Sequence, residues 1–197
     1  MFSPLKVGKG IVQAMELLYV TSNQLKFKKA QHHLGSLGIS LTCADYDFEE
    51  LQGKDARKIV AHKLEQAYAH FHKPVLVSDD SWSIPALNGF PGAYMKDVNG
   101  WFQPMDWLRL MQEKDDQRIF LEAYLGYKDA QRQNIFHYSR PNVFLTEAKG
   151  EMSNAPHLTV IGNKTTGPSL AQIIAQDGYG LADPDDFWQE FATWLLH

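Results

Sequence analysis

Cysteine is almost missing from this chain: Cys43 is the only one in 197 residues. No intramolecular disulfide can form, and a reducing compartment suits the protein. No stretch approaches the roughly 20 apolar residues that a bilayer-spanning helix needs. The opening MFSPLKVGKGIVQAME carries two lysines but lacks the apolar core of a signal peptide. Residues 1–16 therefore read as an extension ahead of the first strand, and the protein as cytoplasmic. Positive charge is not in excess either: 19 Lys and Arg against 23 Asp and Glu leave a net charge of -4. That balance argues against nucleic acid or an anionic membrane as partner. Dinucleotide fingerprint, Walker loop, nucleophile elbow and zinc-finger spacing are all absent, and the eight histidines show no metal-ligand spacing. Repeats, heptads, linkers and low-complexity segments are absent too, so residues 17–197 read as one compact unit.

What is present is an alternation. Leu17 to Val20 is a short apolar run, and from Gln24 the residues Phe27, Ala30, Leu34 and Leu37 recur at helical spacing until Gly35 and Gly38 close the element. Ile39 to Asp45 alternates as a strand. Val60, Leu64, Ala67 and Phe71 make the inward stripe of a second helix, and Val75-Leu76-Val77 opens a third strand after Pro74. This β-α-β-α-β order predicts an α/β fold with helices packed on a sheet, and ligands in such folds gather beyond the carboxyl ends of strands. Arg118 to Tyr127 and Asn134 to Lys149 predict antiparallel strands. Trp101 to Met111 predicts one helix with aromatic anchors. DPDDFWQEFATWLL predicts a last helix with Asp183 at the N-cap, Pro184 in first position and Phe187, Phe191, Trp194 and Leu195 facing inward.

Three polar clusters interrupt the apolar pattern. TSNQLK (Thr21 to Lys26) lies where a strand turns into a helix, a place whose free N–H groups suit phosphate, with Ser22, Asn23 and Lys26 as added donors. Read by itself, the hexapeptide is better served by Asn23 as a plain helix cap with Lys26 solvated. Glu49 and Glu50 sit in a loop. Asp79 and Asp80 follow directly on an apolar strand, and two close carboxylates repel unless a cation or proton relieves them. Hard oxygen donors without nearby Cys or His suit magnesium; a turn at a strand end is the other reading. Lys63 falls at the edge of the second helix's apolar face, either snorkelling to water or aimed at an anion.

In this order and spacing the clusters resemble the inosine triphosphate pyrophosphatase family. TSNQLK is similar to its T-(S/G)-N-x-x-K phosphate motif, EELQG with Lys63 to its acidic loop and following lysine, and PVLVSDDSWSIPALNGFPGAY to its Asp-(Ser/Thr) … P-G-x-Y segment. The match runs from Leu17 to Lys96, with a weaker similarity at Glu147 to Pro156. The resemblance implies an α/β fold, a mixed sheet with flanking helices and two lobes around a cleft, assembled as a homodimer. It implies magnesium-dependent hydrolysis of a nucleoside triphosphate between the α and β phosphates, on nonstandard purine nucleotides. Ser22, Asn23, Lys26 and Lys63 would hold phosphate; Glu50 and Asp79 would bind magnesium, with Asp79 orienting or deprotonating water and Lys26 assisting catalysis. Asp80, Ser81 and Trp82 would line the substrate site, with Trp82 either stacking on a base or, as its size suits, filling the core. Counting back from Pro91-Gly92 favours Asp79 over Asp80 as the catalytic aspartate. A weak nucleotide-binding module, or a hydrolase of another diphosphate, stay open beside this reading.

The C-terminus departs from the pattern. The family carries an F-G-(W/Y)-D-P segment that reads the purine and a later S-H-R. Here Gly178 to Pro184 (GYGLADP) resembles the first in one alignment, while in the other the segment is deleted and Asp183-Pro184-Asp185 stands in place of S-H-R. S-H-R is absent in both.

Overall fold

A computed structural model describes residues 16–177 and 186–197 of the chain. The expected alternation is present: β1 (Glu16–Val20), α1 (Gln24–Gly35), β2 (Ser40–Ala44), α2 (Ala56–Phe71) and β3 (Val75–Ile84), followed by β4 (Phe90–Gly92), α3 (Met95–Trp101) and α4 (Pro104–Met111). The long antiparallel strands β5 (Arg118–Lys128) and β6 (Gln133–Phe144) come next, then β7 (Ile161–Gly162), α5 (Leu170–Asp177) and α6 (Asp186–Leu196). The strands form one mixed seven-stranded sheet in the order β2-β1-β3-β5-β6-β7, with β4 also paired to β3. β1 is parallel to β2 and β3, whereas β3, β5 and β6 run antiparallel in turn. This is the α/β mixed sheet with flanking helices that the sequence predicts.

Strand alternation decides which helix covers which residue. On one face Leu17, Tyr19, Leu76, Leu125, Tyr127 and Phe136 meet Ala30 and Leu34 of α1 and Phe187, Phe191 and Leu195 of α6. On the other, Leu18, Val20, Val75 and Val77 meet Val60, Leu64 and Ala67 of α2. α2 lies so close to the sheet that a Cβ on Gly126 of β5 would come within 2.9 Å of Val60 Cγ1. A third cluster gathers Trp82 and Ile84 of β3, Trp107 and Met111 of α4, and Phe144, Val160 and Ile161. Capping fixes the helix starts: the Asn23 side chain accepts from the N–H groups of Leu25 and Lys26, and that of Asp55 from Lys58 N–H. α1 gives way to Gly38, whose φ of +79° suits glycine.

Three expectations need correction. β3 does not stop before the carboxylates; it runs ten residues, so Asp79 and Asp80 are mid-strand. Its far end is paired to β4, with Gly92 opposite Trp82. Residues 101–111 are not one helix: Pro104 starts a new one, the preceding Gln103 being extended as residues before proline tend to be. Trp101 is 76% exposed and anchors nothing, whereas Trp107 is wholly buried. β6 ends at Phe144, short of Lys149. The expected cap at Asp183 and first-turn Pro184, with Gly178 to Ala182 and Asp185, lie outside the described residues.

The 3-10 turn Pro156–Thr159 is tied to α3 by a 3.0 Å hydrogen bond between His157 Nδ1 and Asn99 Oδ1. The His157 ring also packs edge-on against Trp82 at 5.0 Å. Burial holds this imidazole neutral, pushing its pKa down to about 3.

Two outcomes follow from this packing. Phe191 is fully buried against Tyr127 and Phe136, so Phe191→Ala should cost about 3–5 kcal/mol in denaturant unfolding. For His157 the folded pKa lies below the unfolded value of about 6.5, so the unfolded chain takes up the proton first on acidification. The stability this residue contributes is complete above about pH 6.5 and is lost as the pH falls towards about 3. Unfolding midpoints followed through that window should fall less steeply in His157→Gln; an unchanged acid limb would contradict this origin.

Candidate active site

β3 is paired to β5 from Val75 through Ser83 on one edge. On its other edge it meets β1 only at Val75 and Leu76, and β4 only from Trp82 onward. Between those partners the edge is open, and Asp79 and Asp80 lie in the gap. The carboxylates do not share a site as their adjacency suggested. Alternation sends them to opposite faces, where each meets a lysine from a different helix: Asp79 Oδ2 lies 3.1 Å from Lys63 Nζ of α2, and Asp80 Oδ2 lies 2.9 Å from Lys26 Nζ of α1. The charge repulsion expected between neighbouring acids is thus relieved by two separate cations. Asp79 Oδ1 also accepts a 3.0 Å hydrogen bond from Asp80 N–H.

The acidic loop comes in from the side. Glu50 Oε1 stands 4.0 Å from Lys63 Nζ and 4.0 Å from Lys96 Nζ. Glu50 and Asp79 therefore converge on one ammonium group, and a cation is attracted to the place between them. Two hard oxygen donors fit magnesium, which usually takes one or two carboxylates and fills its octahedron with water and substrate phosphate. Among the described residues no group of three or more His, Cys, Asp or Glu is placed to hold a metal by protein ligands alone.

Lys26 lies at the sheet's other face. Burial works against its charge, yet the Asp80 carboxylate, with Tyr19 and Asp79 behind it, more than offsets that and holds its pKa above the ordinary lysine range. Tyr19 shares a hydrogen bond with Ser78 Oγ, and burial pushes its phenol up to about 12. Both groups keep their protons throughout the neutral range.

A cavity of about 690 Å³ opens at the carboxyl end of β1, with Thr21, Ser22, Glu50, Lys63 and Lys96 on its walls. A recess of about 120 Å³ beside it reaches Asp79 and Asp80. Glu50, Lys63 and Lys96 line both, so the two form one cleft. Of the residues singled out from the sequence, Ser22, Glu50, Lys63, Asp79 and Asp80 line this cleft. Asn23 is at its rim with its carbonyl oxygen engaged in capping α1. Ser81 is nearly buried, and Trp82 is 7% exposed in the core against His157. Sequence reasoning missed Lys96 and the aromatic wall of Tyr46 and Phe48. The signal for the first was its place two residues after Tyr94 at the end of the family-like segment; for the second it was the alternation in Asp45-Tyr46-Asp47-Phe48.

Comparison with known proteins gives a consistent result. The profile described as "Ham1 family" matches residues 17–159. A "dITP/XTP pyrophosphatase" of Methanosarcina acetivorans is 30% identical over 57% of this chain and 61% of its own length, so the match spans less than two thirds of that relative. An "Inosine triphosphate pyrophosphatase" of Batrachochytrium dendrobatidis is 29% identical over 92% of this chain and 98% of its own. Among solved structures, a HAM1 protein from Coxiella burnetii superposes with a TM-score of 0.73, at 15% identity, over 92% of this chain and 98% of that one, a likeness of fold.

Proposed function

The chain belongs to the Ham1 family, and from that premise we propose that it is a magnesium-dependent nucleoside triphosphate pyrophosphohydrolase acting on nonstandard purine nucleotides. The observation that carries this reading is the convergence of Glu50 and Asp79 on Lys63 at the open edge of β3. The names of the similar proteins support the reaction type and the purine class. The products would be a nucleoside monophosphate and pyrophosphate.

In this reading the phosphate chain lies in the larger cavity, at the N-terminus of α1, where the positive end of the helix dipole favours anions. Ser22 and the Asn23 side-chain amide donate to it, and Lys63 and Lys96 neutralise it from the opposite wall. Lys26, held charged, adds a positive field from the other face. Glu50 and Asp79 would hold magnesium, which when bound supplies charge neutralisation on the phosphates and acidifies a coordinated water. Asp79 sits on the rigid middle of a strand, and its carboxylate orients the attacking water and takes its proton. Its present bond to Lys63 is a placeholder: a phosphate would draw the lysine away and leave the carboxylate free. A homodimer and a cytoplasmic setting belong to the same reading; no helix among the described residues is long and apolar enough to cross a membrane.

The experiment is pyrophosphate release from ITP, XTP, dITP and the common nucleotides, with magnesium and with chelator. Chelation should abolish release, and Asp79→Asn should lower it by about 10²–10³-fold or more, the scale for removing one group that acts in the transition state. Turnover at the wild-type level in that variant would sink the role given to Asp79.

A further inference from the structure

The face of β3 that carries Asp79 changes character along its length. Val75 and Val77 are covered by α2, Asp79 meets Lys63 of that helix, and Ser81 and Ser83 continue the same face towards the helix's N-terminal end at Asp55 and Ala56. The neighbouring strands extend it in two rungs. Tyr124 of β5 stands opposite Asp79, and His137 of β6 opposite Tyr124; Glu122 stands opposite Ser81, and Ser139 opposite Glu122. A cavity of about 510 Å³ lies over the β3 and β5 part of this shelf, lined by Ser81, Ser83, Glu122 and Tyr124 with Lys54 and Asp55 at the start of α2. That volume is within the range of pockets that enclose a small ligand.

The side chains on the shelf are ordered by one another. The Tyr124 and His137 rings stack at 4.5 Å with 24° between their planes. Glu122 accepts at each oxygen, from His137 Nε2 at 2.6 Å and Ser139 Oγ at 2.9 Å. A carboxylate offers about four acceptor positions, so two remain for a ligand. His137 and Glu122 stay accessible, with side chains 38% and 20% exposed. Burial, then the Glu122 and Asp55 charges, push the Tyr124 phenol up, so its hydroxyl remains a donor. With strands about 4.8 Å apart, His137 lies on the order of 10 Å across the sheet from Asp79. That is the reach needed between a phosphate at Asp79 and the base of the same nucleotide.

We propose that this shelf is the nucleobase subsite: the Tyr124–His137 stack is the platform for the ring, and Glu122 reads the N–H of a purine lactam. The inference rests on the pyrophosphohydrolase reading for the position of the phosphates. Its chemistry is selective. A 6-oxopurine presents N1–H to the free acceptor positions of Glu122, whereas adenine presents a lone pair there, leaving a carboxylate facing an acceptor. The absence of S-H-R at the C-terminus leaves the base without the reader expected there, and the shelf supplies acceptor and platform from β5 and β6.

The test is equilibrium binding, so that it does not depend on turnover. The ligands are the α,β-methylene analogues of ITP and ATP, which cannot be cleaved at that bond, and inorganic triphosphate. The wild-type protein should prefer the inosine analogue by about tenfold or more, the scale of one mismatched base contact. Glu122→Gln, which replaces one of the two carboxylate oxygens by an NH2 donor and removes the charge, should reduce that preference to within about threefold by the same contact. His137→Ala should weaken both nucleotides. Both variants should bind inorganic triphosphate as the wild type does, which also shows that they are folded. No preference in the wild type, an unchanged preference in Glu122→Gln, or loss of triphosphate binding along with it would overturn the proposal. An inactive enzyme that still shows the pattern would instead refute the hydrolase reading and leave the subsite standing.

Discussion

Strand β3 is hydrogen-bonded to β5 along nearly its whole length, while its other edge is closed only at the two ends, by β1 and by β4. The site depends on this asymmetry. A fully paired strand would bury its middle, and an unpaired one could not hold two charged side chains in fixed directions. With one edge fixed and the other interrupted, Asp79 and Asp80 are rigid at the backbone and reachable from solvent. The break occurs where β1 turns into α1, so the N-terminus of that helix opens into the same gap. The positive end of a helix and a rigid carboxylate are thereby brought together without any strain in the strand.

Alternation then divides the charges. Asp79 and Lys63 lie on the α2 side, Asp80 and Lys26 on the α1 side. Each lysine of the site has a carboxylate partner, Lys63 in Glu50 and Asp79, Lys96 in Glu50, and Lys26 in Asp80 on the other face, while Asp45, Asp47 and Asp97 on the cleft walls leave acid in excess. Pairing lowers the cost of keeping these ions partly desolvated, since removing one partner of such a pair leaves the other uncompensated. It also makes the site exchangeable. A polyphosphate with its divalent cation carries both signs, so the lysines can pass to phosphate and the carboxylates to the metal with little change in local charge. A bare anion would meet the excess acid of the walls, and a bare cation would draw the carboxylates from their lysines. The arrangement therefore favours the complex of the two over either alone.

Local pattern was enough for the elements that stand on periodicity. α1 and α2 were legible from apolar residues at helical spacing, and β5 and β6 from alternation, because side chains in those elements meet the core individually. The end of β3 was not legible. Ser78, Asp79 and Asp80 look like a turn in isolation, and they stay in a strand because β5 holds a continuous ladder opposite them, a contact with residues more than forty positions away. The break before Pro104 followed a local rule that the aromatic spacing of residues 101–111 obscured. In the site, Lys63 and Asp79 were each legible from motif order, one at the edge of a helix's apolar face and one after an apolar strand, but not the ion pair they form. Lys96 was not singled out, since its only mark is its place two residues after Tyr94; its position depends on how α3 is set by the β3–β4 pairing and by the His157–Asn99 bond.

That last dependence has a consequence for how the two halves of the molecule cooperate. α3 brings Lys96 to Glu50, and the Asn99 side chain, one turn further along the helix, is held by His157. The same His157 ring abuts Trp82, which lies three residues beyond Asp79 on β3. A single buried imidazole thus touches both the helix that carries a cleft cation and the strand that carries the cleft carboxylates. Trp82 is more than core filling in this arrangement: its place on the face opposite Asp79 lets packing on one side of the sheet fix the direction of a charge on the other. Because burial keeps His157 neutral, the link does not release anywhere near neutral pH. The backbone positions of Lys96 and Asp79 are then a property of the packed core, while the Lys96 side chain itself is 87% exposed and can turn to a ligand.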